Sequence, residues 1–105
     1  MDAATLVSHG YRKYNQKIGF SDCLYQKRVG GAMPDGDPYS LTWYEYDFST
    51  VPGFAGTNKI QYKASMQLRN ETSCFDLEFH VRDETVEDVE AFFAKSIEFY
   101  RTLGF

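Results

Sequence analysis

Two neighbouring segments of strict alternation constrain the fold of this chain most. Residues 60–68 and 75–81 carry apolar side chains at every second position, with polar or charged side chains between them. This period is typical of strands with one dry face and one wet face. Residues 70–73 suit a hairpin turn, and pairing Arg69 with Cys74 sets apolar side chains opposite one another throughout. The rungs are then Leu68 with Phe75, Met66 with Leu77, and Ala64 with Phe79. We therefore predict an antiparallel hairpin in this register.

The C-terminal segment has the period of an amphipathic helix. Its apolar stripe consists of Val86, Val89, Phe93, Ile97 and Tyr100. Thr85 and Asp88 resemble a capping box at the start, and Gly104 stands where a helix-ending glycine belongs. We predict a helix over residues 86–103 that buries its stripe on the dry face of the sheet.

The remaining segments complete the predicted fold. Residues 3–16 share a helical stripe that extends to Ile18, residues 20–29 and 39–48 are strand-like, and residues 30–38 are rich in glycine and proline. Residues 51–58 form a second segment of the same breaker type. The predicted order is α-β-β-β-β-α. The chain is thus predicted to be α+β, a four-stranded antiparallel sheet with a C-terminal amphipathic helix on one face and a short N-terminal helix.

Length and charge limit the classes of function. A chain of 105 residues fits one domain, residues 1–105. Its 15 acidic and 11 basic side chains give a net charge of −4, which argues against direct binding to nucleic acid or to anionic membranes. The N-terminus has no signal-peptide pattern and no stretch approaches a membrane span, so we expect a cytoplasmic protein.

The chemistry-bearing residues form no catalytic or metal-binding pattern. Cys74 and His80 share one strand face but are six residues apart, about 20 Å at the rise of a strand. Asp76 and Glu78 are spaced like a glycosidase pair, but cross-strand charge compensation explains them as well. The acids of residues 35–37 lack the other ligands of a calcium loop. We predict no enzyme, no cofactor and no metal site.

The two cysteines are predicted to remain thiols. Cys23 shares the parity of Tyr25 and is expected to face the core, whereas Cys74 lies on the wet face of its strand. Side chains on opposite faces of a sheet cannot meet, so no disulfide is expected.

Residues 41–48 form the most informative strand. If Glu45 and Asp47 face water, alternation turns Leu41 and the single tryptophan, Trp43, to the same wet face. The opposite parity, Tyr44, Tyr46 and Phe48, would then face the helix. Alternatively, the N-terminal helix covers the tryptophan and the leucine.

The exposed arrangement would create an interface hot spot. Leu41 and Trp43 would lie beside Lys63, Glu78 and His80, an apolar anchor ringed by polar groups. These five residues are the candidate binding site, for a protein partner or for a homodimer formed through the open face of the sheet.

Three segments carry a resemblance to a group of proteins. Residues 24–28, 43–48 and 86–93 resemble the WQKR strand, the YEYD strand and the EEAEEFF helix of small uncharacterised phage and prophage proteins. In this chain Tyr25 replaces the tryptophan of the first motif. The resemblance implies that residues 30–38 are an insertion relative to those proteins. The resemblance brings no catalytic residues. It implies a phage accessory protein that acts in the host cytoplasm, where small proteins of this kind bind and block host proteins.

Two functional hypotheses follow. The first is a non-enzymatic protein-binding module, a phage-encoded protein that binds and inhibits a host protein of defence or nuclease type. The second is a small-ligand-binding or enzymatic domain with a pocket between sheet and helix. That pocket would be lined by Tyr25, Tyr44, Tyr46 and Tyr100.

Overall fold

The computed structural model describes residues 1–53 and 59–105. Its elements are α1 (Ala3–Ser8), β1 (Arg12–Tyr14), β2 (Cys23–Ala32), β3 (Pro38–Asp47), β4 (Ile60–Arg69), β5 (Cys74–Val81) and α2 (Val86–Arg101). The strands form one antiparallel sheet in the order β1-β2-β3-β4-β5, so each pairs with its neighbours in sequence. The α+β class is confirmed, and the predicted count of four strands is wrong because the sheet has five strands in the described part of the chain.

The extra strand comes from the segment predicted as a helix over residues 3–16. The helix α1 begins at the cap Asp2, whose side chain accepts a hydrogen bond from Thr5 N, and it ends after one and a half turns. Gly10 follows at φ 90°, a conformation that a side chain rarely tolerates. The chain then turns into β1, where Arg12 pairs with Gln26. Sheet pairing therefore prevails over the helical stripe.

The predicted hairpin is confirmed in its register. Arg69 pairs with Cys74, and the three apolar rungs between β4 and β5 are those expected. Asn70 closes the turn, since its Oδ1 accepts hydrogen bonds from Thr72 N at 3.0 Å and Ser73 N at 2.8 Å. The polar alternate positions consequently lie together on the opposite side of the sheet.

The helix α2 covers one side of the sheet, called here the core face. Its capping box is present, with Thr85 Oγ1 accepting from Asp88 N at 3.1 Å and Asp88 Oδ2 accepting from Thr85 N. The ring of Phe92 packs on Phe79 of β5 at 5.1 Å between centroids. On the other flank, Lys27 Nζ donates to Glu90 Oε2 at 2.8 Å. The helix is thus held to both β2 and β5.

The connection between β2 and β3 is shorter than the loop predicted over residues 30–38. The strand β2 continues to Ala32 through a bulge, because Gly30 and Gly31 adopt φ of 68° and 97°. A side chain at Gly30 would meet Ile97 Cδ1 at 2.9 Å, so the helix approaches the backbone closely there. Of the second breaker segment, residues 54–58 lie outside the described residues.

The expected exposure of Leu41 and Trp43 is wrong. Both are fully buried on the core face, and Tyr11 packs edge-on against the indole with centroids 5.9 Å apart. The predicted alternation along β3 is confirmed. The side of β3 that was predicted to face water is the buried one, and Glu45 also lies on that side, the core face. Its carboxylate accepts hydrogen bonds from Tyr62 Oη at 2.7 Å and Cys23 Sγ at 3.2 Å.

Candidate functional site

The side of the sheet opposite α2, called here the open face, is a polar surface built by β2, β3, β4 and β5. Within the described residues neither helix packs on it. One rung across it joins Gln26, Thr42, Ser65 and Glu78 from β2 to β5, and Gln26 Nε2 donates to Thr42 Oγ1 at 3.1 Å. The open face therefore presents amide, hydroxyl and carboxylate groups side by side.

Two adjoining depressions give the open face its shape. The larger, of about 520 Å³, includes Thr42, Tyr44, Ser65, Gln67 and Asp76 in its lining. A second, of about 360 Å³, lies between β3, β4 and the segment before β2; it shares part of that lining and adds Ile18, Phe20, Tyr46, Lys63 and Glu78. Together they form one polar groove with an apolar lip.

The groove carries an ion pair at its centre. Lys63 Nζ lies 3.2 Å from Glu78 Oε1 and 5.2 Å from the centroid of the Tyr44 ring. Burial, the largest single influence, lowers the pKa of the Lys63 ammonium, but the hydrogen bond and charge of Glu78 together with the Tyr46 hydroxyl outweigh burial, so the pKa is raised. His80 Nε2 approaches Glu78 Oε2 at 3.9 Å. The structure therefore brings together the three polar members of the predicted site, and places its two apolar members, Leu41 and Trp43, on the other side of the sheet.

One end of the groove is closed by a salt-bridge clamp. Arg69 Nε donates to Asp35 Oδ2 at 2.7 Å, and its Nη2 contacts Asp37 Oδ2. The backbone N–H of Asp37 and the guanidinium of Arg69 hold the pKa of Asp35 below its usual value. The acids that resembled a calcium loop are thus partners of an arginine, and the turn they belong to is fixed against β4.

The apolar lip is the part of the site that sequence reasoning missed. Phe20 is 96% exposed and Ile18 is also exposed, in a turn closed by the hydrogen bond from Ser21 N to Ile18 O at 3.1 Å. The sequence pattern predicts Ile18 on the helical stripe and Phe20 at the start of a strand. Gly19, at φ 60°, was the available signal for a turn at this point.

The predicted tyrosine-lined pocket does not form. Tyr25 is buried on the core face, whereas Tyr44 and Tyr46 lie on the open face, so the sheet separates them. The space between α2 and the sheet, about 310 Å³, is lined by Val29, Leu41, Phe93, Ile97 and their neighbours, and contains no tyrosine among the described residues.

His9 and the two cysteines lie outside the lining of the groove. His9 Nδ1 lies 2.8 Å from Thr5 O and its Nε2 lies 2.7 Å from Glu87 Oε1. Cys23 is buried and Cys74 exposed, both as free thiols on opposite faces, as the alternation predicts. Across residues 1–53 and 59–105, no three His, Cys, Asp or Glu side chains are grouped so that they could hold a metal ion.

Comparison with protein-family models, with curated proteins and with solved structures gives no match for this chain. Neither helix in the described part of the chain has the length and apolar character needed to cross a membrane.

Proposed function

We propose that this chain is a non-enzymatic protein-binding module whose partner docks on the open face. One observation carries the proposal: the side chain of Phe20 is 96% exposed beside Ile18, at the lip of a polar groove. An apolar side chain in water contributes little to the stability of the monomer. Its burial in a partner removes surface at about 25 cal/mol per Å², and aromatic anchors ringed by polar groups dominate many interfaces.

The chemistry of the groove favours a protein over a nucleic acid as the partner. Asp76 and Glu78 line it, and the chain carries a net charge of −4. A phosphate backbone would be repelled by these charges. A protein surface with an apolar socket, surrounded by basic and hydrogen-bonding side chains, would satisfy both the exposed ring and the carboxylates.

Basic surfaces are typical of proteins that bind nucleic acids, including nucleases. With the resemblance to phage accessory proteins, this supports the finer proposal that the chain is phage-encoded, acts in the host cytoplasm and inhibits a host protein of defence or nuclease type. The docking site would then consist of Ile18, Phe20, Lys63, Glu78 and His80, without Leu41 and Trp43, which belong to the core.

Affinity capture from host lysate with matched variants tests this. Phe20→Ser removes the anchor, and Val7→Ser makes the same type of change at an exposed position on α1. We expect the partner captured by the wild type and by Val7→Ser to be lost with Phe20→Ser, while all three chains keep the same thermal midpoint.

The purified partner then provides a direct measurement. Its affinity should fall at least about tenfold with Phe20→Ser, and NMR shift changes in the labelled chain should map to the open face. Equal affinity for Phe20→Ser and wild type, or shift changes confined to α1 and α2, would exclude the proposed surface.

A further inference from the structure

The two edges of the sheet differ in a way that the proposed function does not use. One edge strand, β1, has three residues, whereas the other, β5, has eight regularly alternating residues. The hydrogen bond from Asn70 N to Ser73 O fixes which residues of β5 form main-chain hydrogen bonds with β4. These residues are Phe75, Leu77, Phe79 and Val81. The main-chain groups of the intervening residues, Cys74, Asp76, Glu78 and His80, point away from the sheet.

These outward groups are available for pairing. In the described residues, the hydrogen bond nearest this edge runs from Arg82 N, just past the strand, to Glu84 Oε1 at 3.1 Å. The strand has no proline and no bulge. Proteins usually protect a long regular edge with such devices, because it is a template for another strand.

An apolar stripe runs along α2 beside the same edge. Phe92, Ser96 and Phe99 follow one another at helical spacing along α2, Leu103 lies just past the end of the helix, and Phe92 contacts Phe79 of β5. Phe92 is 37% exposed, Phe99 58% and Leu103 56%. A strand edge and an exposed apolar stripe therefore meet on one side of the molecule.

We propose that two copies of the chain associate through this side, with their β5 strands antiparallel about a two-fold axis. The two five-stranded sheets would join into one, and the two α2 helices would lie next to each other on the same side of it. Main-chain hydrogen bonds and burial of the three exposed apolar side chains both stabilise this arrangement. A second copy supplies the matching helix stripe, which an isolated strand from another protein would not.

Opposite charges favour the register centred on Phe79 over the register centred on Leu77. With Phe79 on the two-fold axis, Glu78 lies opposite His80 of the second copy, and Asp76 lies opposite Arg82 of the second copy. On the core side, Leu77 then lies opposite Val81 of the second copy. With Leu77 on the axis instead, Asp76 would lie opposite Glu78 of the second copy, and like charges directly opposite are destabilising. A register shifted by one residue would place core-face side chains of one copy opposite open-face side chains of the other.

Light scattering coupled to size exclusion, over a range of concentrations, tests the association. We expect a mass of twice 12.1 kDa for the wild type. Phe99→Lys should shift the mass to that of the monomer, whereas Val7→Lys, at another exposed apolar position, should not. A monomeric wild type at all concentrations, or a dimer that survives Phe99→Lys, would overturn the proposal.

Two further variants test the strand pairing itself. Glu78→Pro removes an outward N–H without touching the bonds to β4, and it should produce a folded monomer. In a Cys74→Ser background, Phe79→Cys should form a disulfide across the axis, since directly opposite residues of a non-hydrogen-bonded pair are about 4.5 Å apart at Cα. Crosslinking through Leu77→Cys instead would overturn the register, and a folded dimer of Glu78→Pro would overturn the strand pairing.

Phe99→Lys also separates this inference from the proposed function. The variant leaves the open face intact, so partner binding through Phe20 is expected to persist in the monomer. Loss of the dimer and loss of the partner are therefore independent results.

Discussion

The hydroxyl of Tyr62 donates a hydrogen bond of 2.7 Å to Glu45 Oε1, on the side of β3 that also carries Trp43. The indole packs edge-on against the Tyr62 ring, with centroids 6.5 Å apart. A carboxylate thus lies on the core face at the end of the sheet because two donors, the phenol and the Cys23 thiol, satisfy it. This contact allows Glu45 to share the side of β3 on which Leu41 and Trp43 are buried.

Removing the Tyr62 hydroxyl should destabilise the protein. Tyr62→Phe deprives Glu45 of a donor, and we expect the free energy of unfolding to fall by about 1.5 kcal/mol in urea denaturation. Tyr25→Phe is the matched control, because the Tyr25 hydroxyl is buried without a hydrogen-bond partner in the described residues. That variant should be neutral or slightly stabilised. A larger loss for Tyr25→Phe than for Tyr62→Phe would contradict the assignment of these two hydroxyls.

Trp43→Ala should remove a core side chain. The indole is fully buried between Tyr11 and Tyr62, so we expect a loss of about 3–5 kcal/mol and a clearly lower thermal midpoint. Phe20→Ala, at an exposed ring, should stay within about 0.5 kcal/mol of the wild type. A lower thermal midpoint for Phe20→Ala than for Trp43→Ala would instead support the prediction that Trp43 is exposed.

The two thiols should differ in reactivity. Cys74 is exposed, whereas Cys23 is buried and donates to Glu45 Oε2; burial, together with that carboxylate, raises the pKa of the Cys23 thiol. Titration of the native protein with a disulfide reagent should show one rapid thiol per chain, and two after denaturation. Cys74→Ser should abolish the rapid phase. Two rapidly reacting thiols per chain in the native protein would show that Cys23 is accessible to solvent.

His9 should titrate above its usual pKa. Its Nδ1 donates to Thr5 O and its Nε2 donates to Glu87 Oε1, and both bonds require the charged ring, so the pKa is raised. The stabilisation is complete below the unfolded pKa of about 6.5 and is lost as the pH rises through the higher folded pKa. NMR titration should give a lower pKa for His9 in Glu87→Gln.

Glu98→Gln, another acidic position on α2, is the control and should leave the titration of His9 as it is in the wild type. An identical His9 pKa in Glu87→Gln and wild type would show that the bond to Glu87 does not persist in solution.

Much of the fold was predictable where local and long-range signals agree. The register of β4 and β5 follows from alternation together with the hairpin turn at residues 70–73, and the start of α2 follows from the pair Thr85 and Asp88. Residues 12–14 carry no such signal, since their place as a strand depends on the free edge of β2. A helical stripe in the sequence carries no information about that edge.

The candidate site was predictable in part. Lys63, Glu78 and His80 were grouped correctly because the hairpin register places them. Leu41 and Trp43 were assigned to the wrong face, since parity fixes which residues share a face but not which face is covered. The exposure of Phe20 depends on the turn before β2, whose position relative to the sheet is a tertiary property.

The three-residue length of β1 limits how far association can proceed. A sheet with two long edges could add copies at either end and grow into a filament. In this chain the β1 edge offers only a short stretch of backbone for pairing. In the proposed dimer the long β5 edge of each copy is paired with that of the other copy. Growth therefore stops at a closed pair, and a soluble particle of fixed size is expected instead of a polymer.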